Sequence, residues 1–243
     1  MKLIQDYQSY TQVDHDTWAV LFSRQSKSIL SIASSEFKKG FAQLSLDPLK
    51  VANLEDVNRI LKKVSGWSVV PAPGLVSNRD FFSMLCNRQF PVTISMRKPE
   101  EISFSELPDI FHDVYGHVPM LMNNMFCDFM TKYSSIAIDY SDDDNIVACF
   151  GRLYWFTMEM GLVREGGELK PFGGAILTSS GEIENIRNPL VAKHHFDLEQ
   201  VINTEYDNLQ LQKEYFYIDS FYELFQSLTD MSFHIDKMLA AKL

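Results

Sequence analysis

The 243-residue chain is predicted to fold as one mainly helical α+β domain. Three observations point there. Apolar residues recur at three- and four-residue spacing through most of the sequence. The runs with strand character, such as Phe90 to Met96 and Tyr215 to Ile218, are few and short. No repeat, low-complexity tract or linker divides the chain, and its length suits one large domain or at most two.

Taken in order, Asp14-His15-Asp16-Thr17 offers N-caps ahead of Trp18, Leu21 and Phe22, and the spacing continues through Ile29 and Ile32, predicting a helix over about 15–33. Another spans Ser34 to Leu44. Asp47-Pro48 reads as a turn in which Pro opens a short helix to about Leu54. A further helix runs to about Val64 and stops at Gly66. Trp67 to Val70 is a short strand, and Pro71-Ala72-Pro73-Gly74 a loop by composition. Asn78-Arg79-Asp80 leads into a short helix through Cys86. After the strand at Phe90–Met96, Pro99 opens a turn, and Phe104 to Pro108 is a loop feeding a helix over Pro108–Leu121. Asn123 to Asp139 is helical. Ser141 to Asp144 is an acidic loop that lacks the spaced ligands, Gly and closing Glu of a calcium loop. Asn145 to Val163 reads as one long helix, apolar nearly all round and so buried. Glu165-Gly166-Gly167-Glu168 is a hairpin turn, and Leu169 to Thr178 reads as strands broken by Gly173-Gly174. Ser179-Ser180-Gly181 turns the chain into Glu182–Ile186. A short helix at Leu198–Thr204 and a strand at Tyr215–Ile218 precede a final helix capped by Ser220.

Composition excludes several classes. With a net charge of -10 the surface does not suit a nucleic-acid backbone. Cys86, Cys127 and Cys149 are an odd number without a C-x-x-C pair, which argues against a disulfide framework or thiolate zinc site and fits a reducing compartment. Met1 to Tyr10 is too polar for a signal peptide, and no apolar run of about 20 residues exists to span a membrane. A cytoplasmic protein is expected.

The chemistry concentrates in PDIFHDVYGHVPML, Pro108 to Leu121. His112 and His117 stand five residues apart in an apolar setting, and about forty residues on Glu159 is the one carboxylate inside RLYWFTMEMGLV. Two imidazoles and a carboxylate can hold one face of a non-haem Fe(II) and leave its other positions open. On an ideal α-helix i and i+5 lie about 140° apart, so convergence requires a helix end or distortion, which Gly116 and Pro119 permit. A buried carboxylate without a partner is costly, and a metal is one way to satisfy it. From the residues alone the alternative stays open that each histidine donates to a carbonyl and Glu159 pairs with an arginine. His194 and His195 form a rival pair whose polar setting reads as a solvated turn. Arg97, flanked by Lys98, reads as a surface residue, and Phe81 and Trp155 as core.

Longer blocks are more specific. The chain resembles the pterin-dependent aromatic amino acid hydroxylases, and most closely their bacterial phenylalanine 4-hydroxylase type. The resemblance rests on PDIFHDVYGHVP (108–119), LYWFTMEMGLVREG (153–166), GLVSNRDF (74–81) and GGAILTSSGE (173–182), with support from HDTWAVLFSRQ (15–25) and MRKPEE (96–101). These keep the family's order and spacing over roughly residues 10–225.

The resemblance implies a single catalytic domain over 1–243, without regulatory or tetramerisation domains, and hence a monomer. It implies that His112, His117 and Glu159 bind Fe(II), with O2 as co-substrate. A tetrahydropterin would sit near Gly74, Val76 and Phe81, its ring stacked on Phe81, with Asp113 facing it and Tyr154 between metal and cofactor. Arg97 would clamp the carboxylate of an aromatic amino acid. Ser105, Trp155, Thr178 and Ser179 would shape its pocket, and the Thr178 hydroxyl would support a histidine ligand. The implied reaction converts L-phenylalanine to L-tyrosine. The alternatives are tryptophan 5-, tyrosine 3- or phenylalanine meta-hydroxylation, or a metal hydrolase or binding module on the same helices. Leu107, Gly174-Ala175, Thr178 and Ser180 depart from common family residues, and none is a predicted metal ligand; Asn208 falls in the loop where relatives distinguish phenylalanine from tyrosine, and its polar amide leaves that preference open.

Overall fold

The computed structural model describes residues 3–103 and 105–241. Met1, Lys2 and Phe104, on which the leader and loop expectations partly fell, lie outside these. Ten α-helices among the described residues pack with a two-stranded and a four-stranded sheet. No described helix is long and apolar enough to cross a membrane.

Helix α1 (Gln12–Ile32) starts earlier than its aspartates suggested, because Thr11 and Asp14 close a reciprocal capping box. α2 (Ser35–Leu44) is capped by Ser34. The short helix expected after Pro48 does not form. The Asp47 carboxylate takes the Leu49 N–H at 2.8 Å, closing a side-chain turn that competes with a helical one. The backbone beyond it is bonded elsewhere: Val51 N–H to His15 Nδ1 and Ala52 C=O to Gln5. α3 (Leu54–Val64) then begins behind the cap Asn53.

β1 (Ser68–Ala72) runs further than expected, through Pro71 and Ala72, and pairs in parallel with β2 (Gln89–Thr93). A two-stranded sheet is all edge, so a proline costs it no obligatory ladder bond. α4 (Asn78–Cys86) connects the two strands. α5 (Asn124–Ala137) follows the histidine segment.

The apolar run Asn145–Val163 is not one helix. α6 spans Asp144–Tyr154, a π-helical turn covers Trp155–Glu159, and β3 (Leu162–Glu165) follows. Periodicity cannot separate a buried helix from a buried strand in such a run. Gly161 makes the break. A Cβ there would lie 2.2 Å from the Thr157 carbonyl oxygen and 2.4 Å from the Phe172 ring, so only glycine admits the approach. β3 forms a hairpin with β4 (Glu168–Pro171) through Gly166 and Gly167, both at positive φ.

Gly174–Thr178, expected as strand, is the helix α7, and Ser179 caps α8 (Ser180–Asn185). Ile176 and Leu177 bury into the core there, overriding their strand propensity. His194 and His195 lie in β5 (Ala192–His195), not a turn. After α9 (Leu198–Asn203), β6 (Glu214–Ile218) pairs in parallel with both β3 and β5, and α10 (Phe221–Ala240) closes the chain.

Aromatic packing fixes the histidine segment in this frame. Phe111 and Tyr115, fully buried, stack at 4.7 Å between centroids, and the rings of Trp18, Phe22 and Phe41 from α1 and α2 meet them edge-on. α2 crosses close beneath, with Gly40 against Pro119. A Cβ on Gly40 would fall 2.0 Å from the Pro119 carbonyl oxygen. Gly40→Ala is therefore expected to lower the unfolding free energy by about 1–3 kcal/mol through overpacking, read as an earlier urea midpoint at unchanged slope.

Candidate active site

Every residue that the resemblance assigned to metal, pterin or substrate lines one cavity of about 730 Å³. Its floor is built by two π-helical turns, His112–His117 and Trp155–Glu159. Widening the turn to i→i+5 brings position i+5 back towards i, which an α-helix would not do. His112 Nε2 and His117 Nε2 accordingly stand 3.1 Å apart. Glu159 Oε2 lies 3.6 Å from the first and 3.2 Å from the second.

Three such atoms converging without protons between them repel one another. The Thr178 hydroxyl donates to the Gly174 carbonyl at 2.8 Å, so towards His112 Nδ1, at 3.0 Å, it can only accept. That places the His112 proton on Nδ1 and leaves Nε2 as a bare lone pair. Burial pulls the His112 pKa down to about 4, which keeps the ring neutral. Burial also opposes ionisation of Glu159, yet the two histidines hold its pKa below the ordinary carboxylate value. Glu159 Oε2 is buried and makes no aligned hydrogen bond. Ligands about 2.1 Å from one ion at right angles would stand about 3 Å apart, close to the spacing here. The donor set fits a divalent cation on one face, and the orphaned oxygen is the sign that something is needed there.

Asp113 is a second carboxylate beside the histidines, within 4.8 Å of both. Its Oδ2 already accepts the Thr93 N–H at 2.7 Å, and burial raises its pKa to about 7. Glu159, with its unmet acceptor, is the better third ligand. Glycines bring these pieces together. A Cβ on Gly174 would sit 2.5 Å from His117 Cε1, and one on Gly173 would sit 2.4 Å from the Glu159 carbonyl oxygen.

Arg97 is not a surface residue. Its Nε and Nη2 donate to the two oxygens of Asp109 at 2.8 and 2.9 Å, and both side chains are buried. Asp109 also accepts the His112 N–H at 2.9 Å, capping the histidine helix. Against burial, these bonds hold its pKa below the usual carboxylate value. Sequence reading missed Asp109. The available signal was its place behind Pro108, three residues ahead of His112, at an N-cap. The side-on edge of the guanidinium is spent on Asp109, and the end-on pair of N–H groups is left for another anion.

Phe81 meets Tyr154 edge-on at 5.4 Å, forming an aromatic wall near Gly74 and Val76. Trp155 lies on the opposite side, stacked on Tyr206 at 4.6 Å. Ser179 Oγ is engaged by the Glu182 N–H as the cap of α8, and Ser105 Oγ donates to the Leu107 carbonyl. Tyr206 was not anticipated from sequence, since it lies in a segment of no regular structure. The rival pair stays outside. His194 faces Glu214, while His195, Asp219 and Glu223 form an exposed cluster in which Arg164 already holds Asp219.

Replacing Thr178 by Val removes the acceptor that sets the His112 tautomer. Divalent-cation affinity measured by calorimetry is expected to fall by about 10–100-fold, and Thr178→Ser to retain it.

The model of the biopterin-dependent aromatic amino acid hydroxylase family matches residues 4–243. The phenylalanine-4-hydroxylase of Chromobacterium violaceum is 36% identical over 226 residues, covering 93% of this chain and 76% of the relative. That of Caulobacter vibrioides is 39% identical over 220 residues, covering 89% of this chain and 74% of the relative. The crystal structure of the Chromobacterium violaceum enzyme with bound iron(III) and oxidised 7,8-dihydrobiopterin superposes with a TM-score of 0.91 at 34% identity, over 97% of this chain and 86% of that one. With matching blocks, fold and cavity in place, the chain belongs to the biopterin-dependent aromatic amino acid hydroxylases.

Proposed function

We propose that this chain hydroxylates the ring of L-phenylalanine to give L-tyrosine, with Fe(II) held by His112, His117 and Glu159. The observation that carries this is the convergence of the two histidine Nε2 atoms on a buried carboxylate oxygen that makes no aligned hydrogen bond. The relatives' names supply the substrate, and the iron and pterin in the related crystal structure supply the cofactors. Bound there, Fe(II) and a tetrahydropterin supply the electrons that activate O2.

The chain's own residues bind, orient and exclude. Phe81 offers a ring face for the pterin, with Gly74, Val76, Asp113 and Tyr154 around it. Arg97 receives the substrate carboxylate on its end-on N–H pair, while Asp109 fixes its plane. Trp155, Ser105, Thr178 and Ser179 border the amino acid. Because Asp109 bonds both Arg97 and the backbone of His112, the carboxylate anchor and the metal share one rigid reference. Asn208 brings a polar amide to the cavity wall, which favours a second reading with another ring, that of tyrosine or tryptophan. Free cysteines support a cytoplasmic setting.

The test is anaerobic loading with Fe(II), then O2 and tetrahydropterin with each aromatic amino acid, and identification of the product by chromatography. Tyrosine from phenylalanine is expected, and its absence with all three amino acids refutes the proposal. Glu159→Ala and His117→Ala are each expected to abolish turnover. Arg97→Lys keeps the charge against Asp109 but loses the planar fork. Its KM for phenylalanine is expected to rise by roughly tenfold or more, about 1.4 kcal/mol, with kcat little changed. An unchanged KM removes Arg97 from the substrate site.

A further inference from the structure

Behind the cavity wall, Gln212 is 5% exposed, and both the oxygen and the nitrogen of its side-chain amide are hydrogen-bonded. Its Oε1 accepts the Trp155 Nε1–H at 2.9 Å. Its Nε2 donates to the carbonyls of Asp207 at 2.9 Å and Gln210 at 3.0 Å. Its own backbone is fixed in turn, because the N–H donates to Glu182 Oε1 at 3.1 Å and the C=O accepts from Asn185 Nδ2 at 2.7 Å. Tyr215 donates to the other oxygen of Glu182 and accepts from Asn185. Glu182 is itself 4% exposed. A satisfied buried network of this kind specifies one geometry.

What Gln212 holds is the cavity wall. Between α9 and β6 the chain has no helix or strand, and Tyr206, Asn208, Leu209, Gln210 and Leu211 from this segment face the cavity. Few internal bonds define its curvature. Two carbonyls three residues apart are pinned by one amide, and the same amide orients the indole of Trp155, on which Tyr206 lies stacked with an interplanar angle of 11°. Trp155 opens the π-turn that ends at Glu159.

Resting on the proposed hydroxylation, we infer that Gln212 is a positioning residue. It joins Trp155 and the 206–211 segment into one surface and thereby sets which aromatic ring is held productively beside the metal. No other type serves. Glutamate keeps the acceptor for Trp155 but cannot donate to two carbonyls, and leucine keeps the volume but removes all three hydrogen bonds.

Gln212→Glu and Gln212→Leu are the test variants, compared with the parent as full-length Fe(II)-loaded protein. Amide hydrogen exchange across 205–211 is expected to accelerate about tenfold or more. The near-ultraviolet circular dichroism assigned to Trp155, by difference from Trp155→Phe, is expected to be lost. The kcat/KM for phenylalanine should fall about tenfold, mainly through KM, and its ratio to those for tyrosine and tryptophan should narrow. Fe(II) affinity should stay within about twofold of the parent. Unchanged exchange at 205–211, or an unchanged ratio among the three amino acids, overturns the inference. So does a loss of Fe(II) affinity that matches the loss of kcat/KM. Should Gln212→Leu fail to fold, Gln212→Glu carries the same readouts. Were the parent itself to turn over none of the three amino acids, the hydroxylase reading would fail by that result, while exchange and dichroism would still decide whether Gln212 clamps the wall.

Discussion

Two imidazole nitrogens and one carboxylate oxygen, gathered to within 3.6 Å of one another in a buried place, are the constraint on which the molecule turns. Left to themselves these groups would separate or take up protons. They are held instead by structure on every side. Aromatic rings of α1 and α2 grip the back of the histidine turn, Asp109 caps its start, and glycines let α7 approach its front. A fold that forces lone pairs together stores a demand for positive charge, and a divalent cation meets it.

The two π-turns are the structural device that makes this possible. Each costs poorer backbone hydrogen bonding than an α-helix, and each delivers a ligand where α-geometry would not. Both stand next to segments where the chain changes type: a 3₁₀ stretch follows His117, and a strand follows Glu159. The surrounding buried core holds both turns in place. The same economy shows at Arg97 and Gln212. In each case one polar side chain beside the cavity is fixed by hydrogen bonds to specific partners.

The division of labour around the cavity follows the chemistry. The proposed metal ligands come from helical elements. The aromatic wall at Phe81 and Tyr154 comes from α4 and α6. The 206–211 wall has no regular structure and is shaped by side chains around it. This wall stands apart from the three converging ligand atoms in the chain, and Asn208 belongs to it.

The sequence by itself determined most helices, the cap at Ser220, the two histidines and the isolated Glu159. These are local signals: periodicity, capping chemistry and a charge in an apolar run. It could not determine that Asn145–Val163 breaks into helix, π-turn and strand, because burial on all sides erases the period that tells helix from strand. Nor could it show that Gly174–Thr178 is helical, that Arg97 is buried on Asp109, or that Gln212 reaches Trp155 across 57 positions. Those outcomes belong to the tertiary structure, since each depends on a partner distant in the chain whose arrival no local pattern encodes.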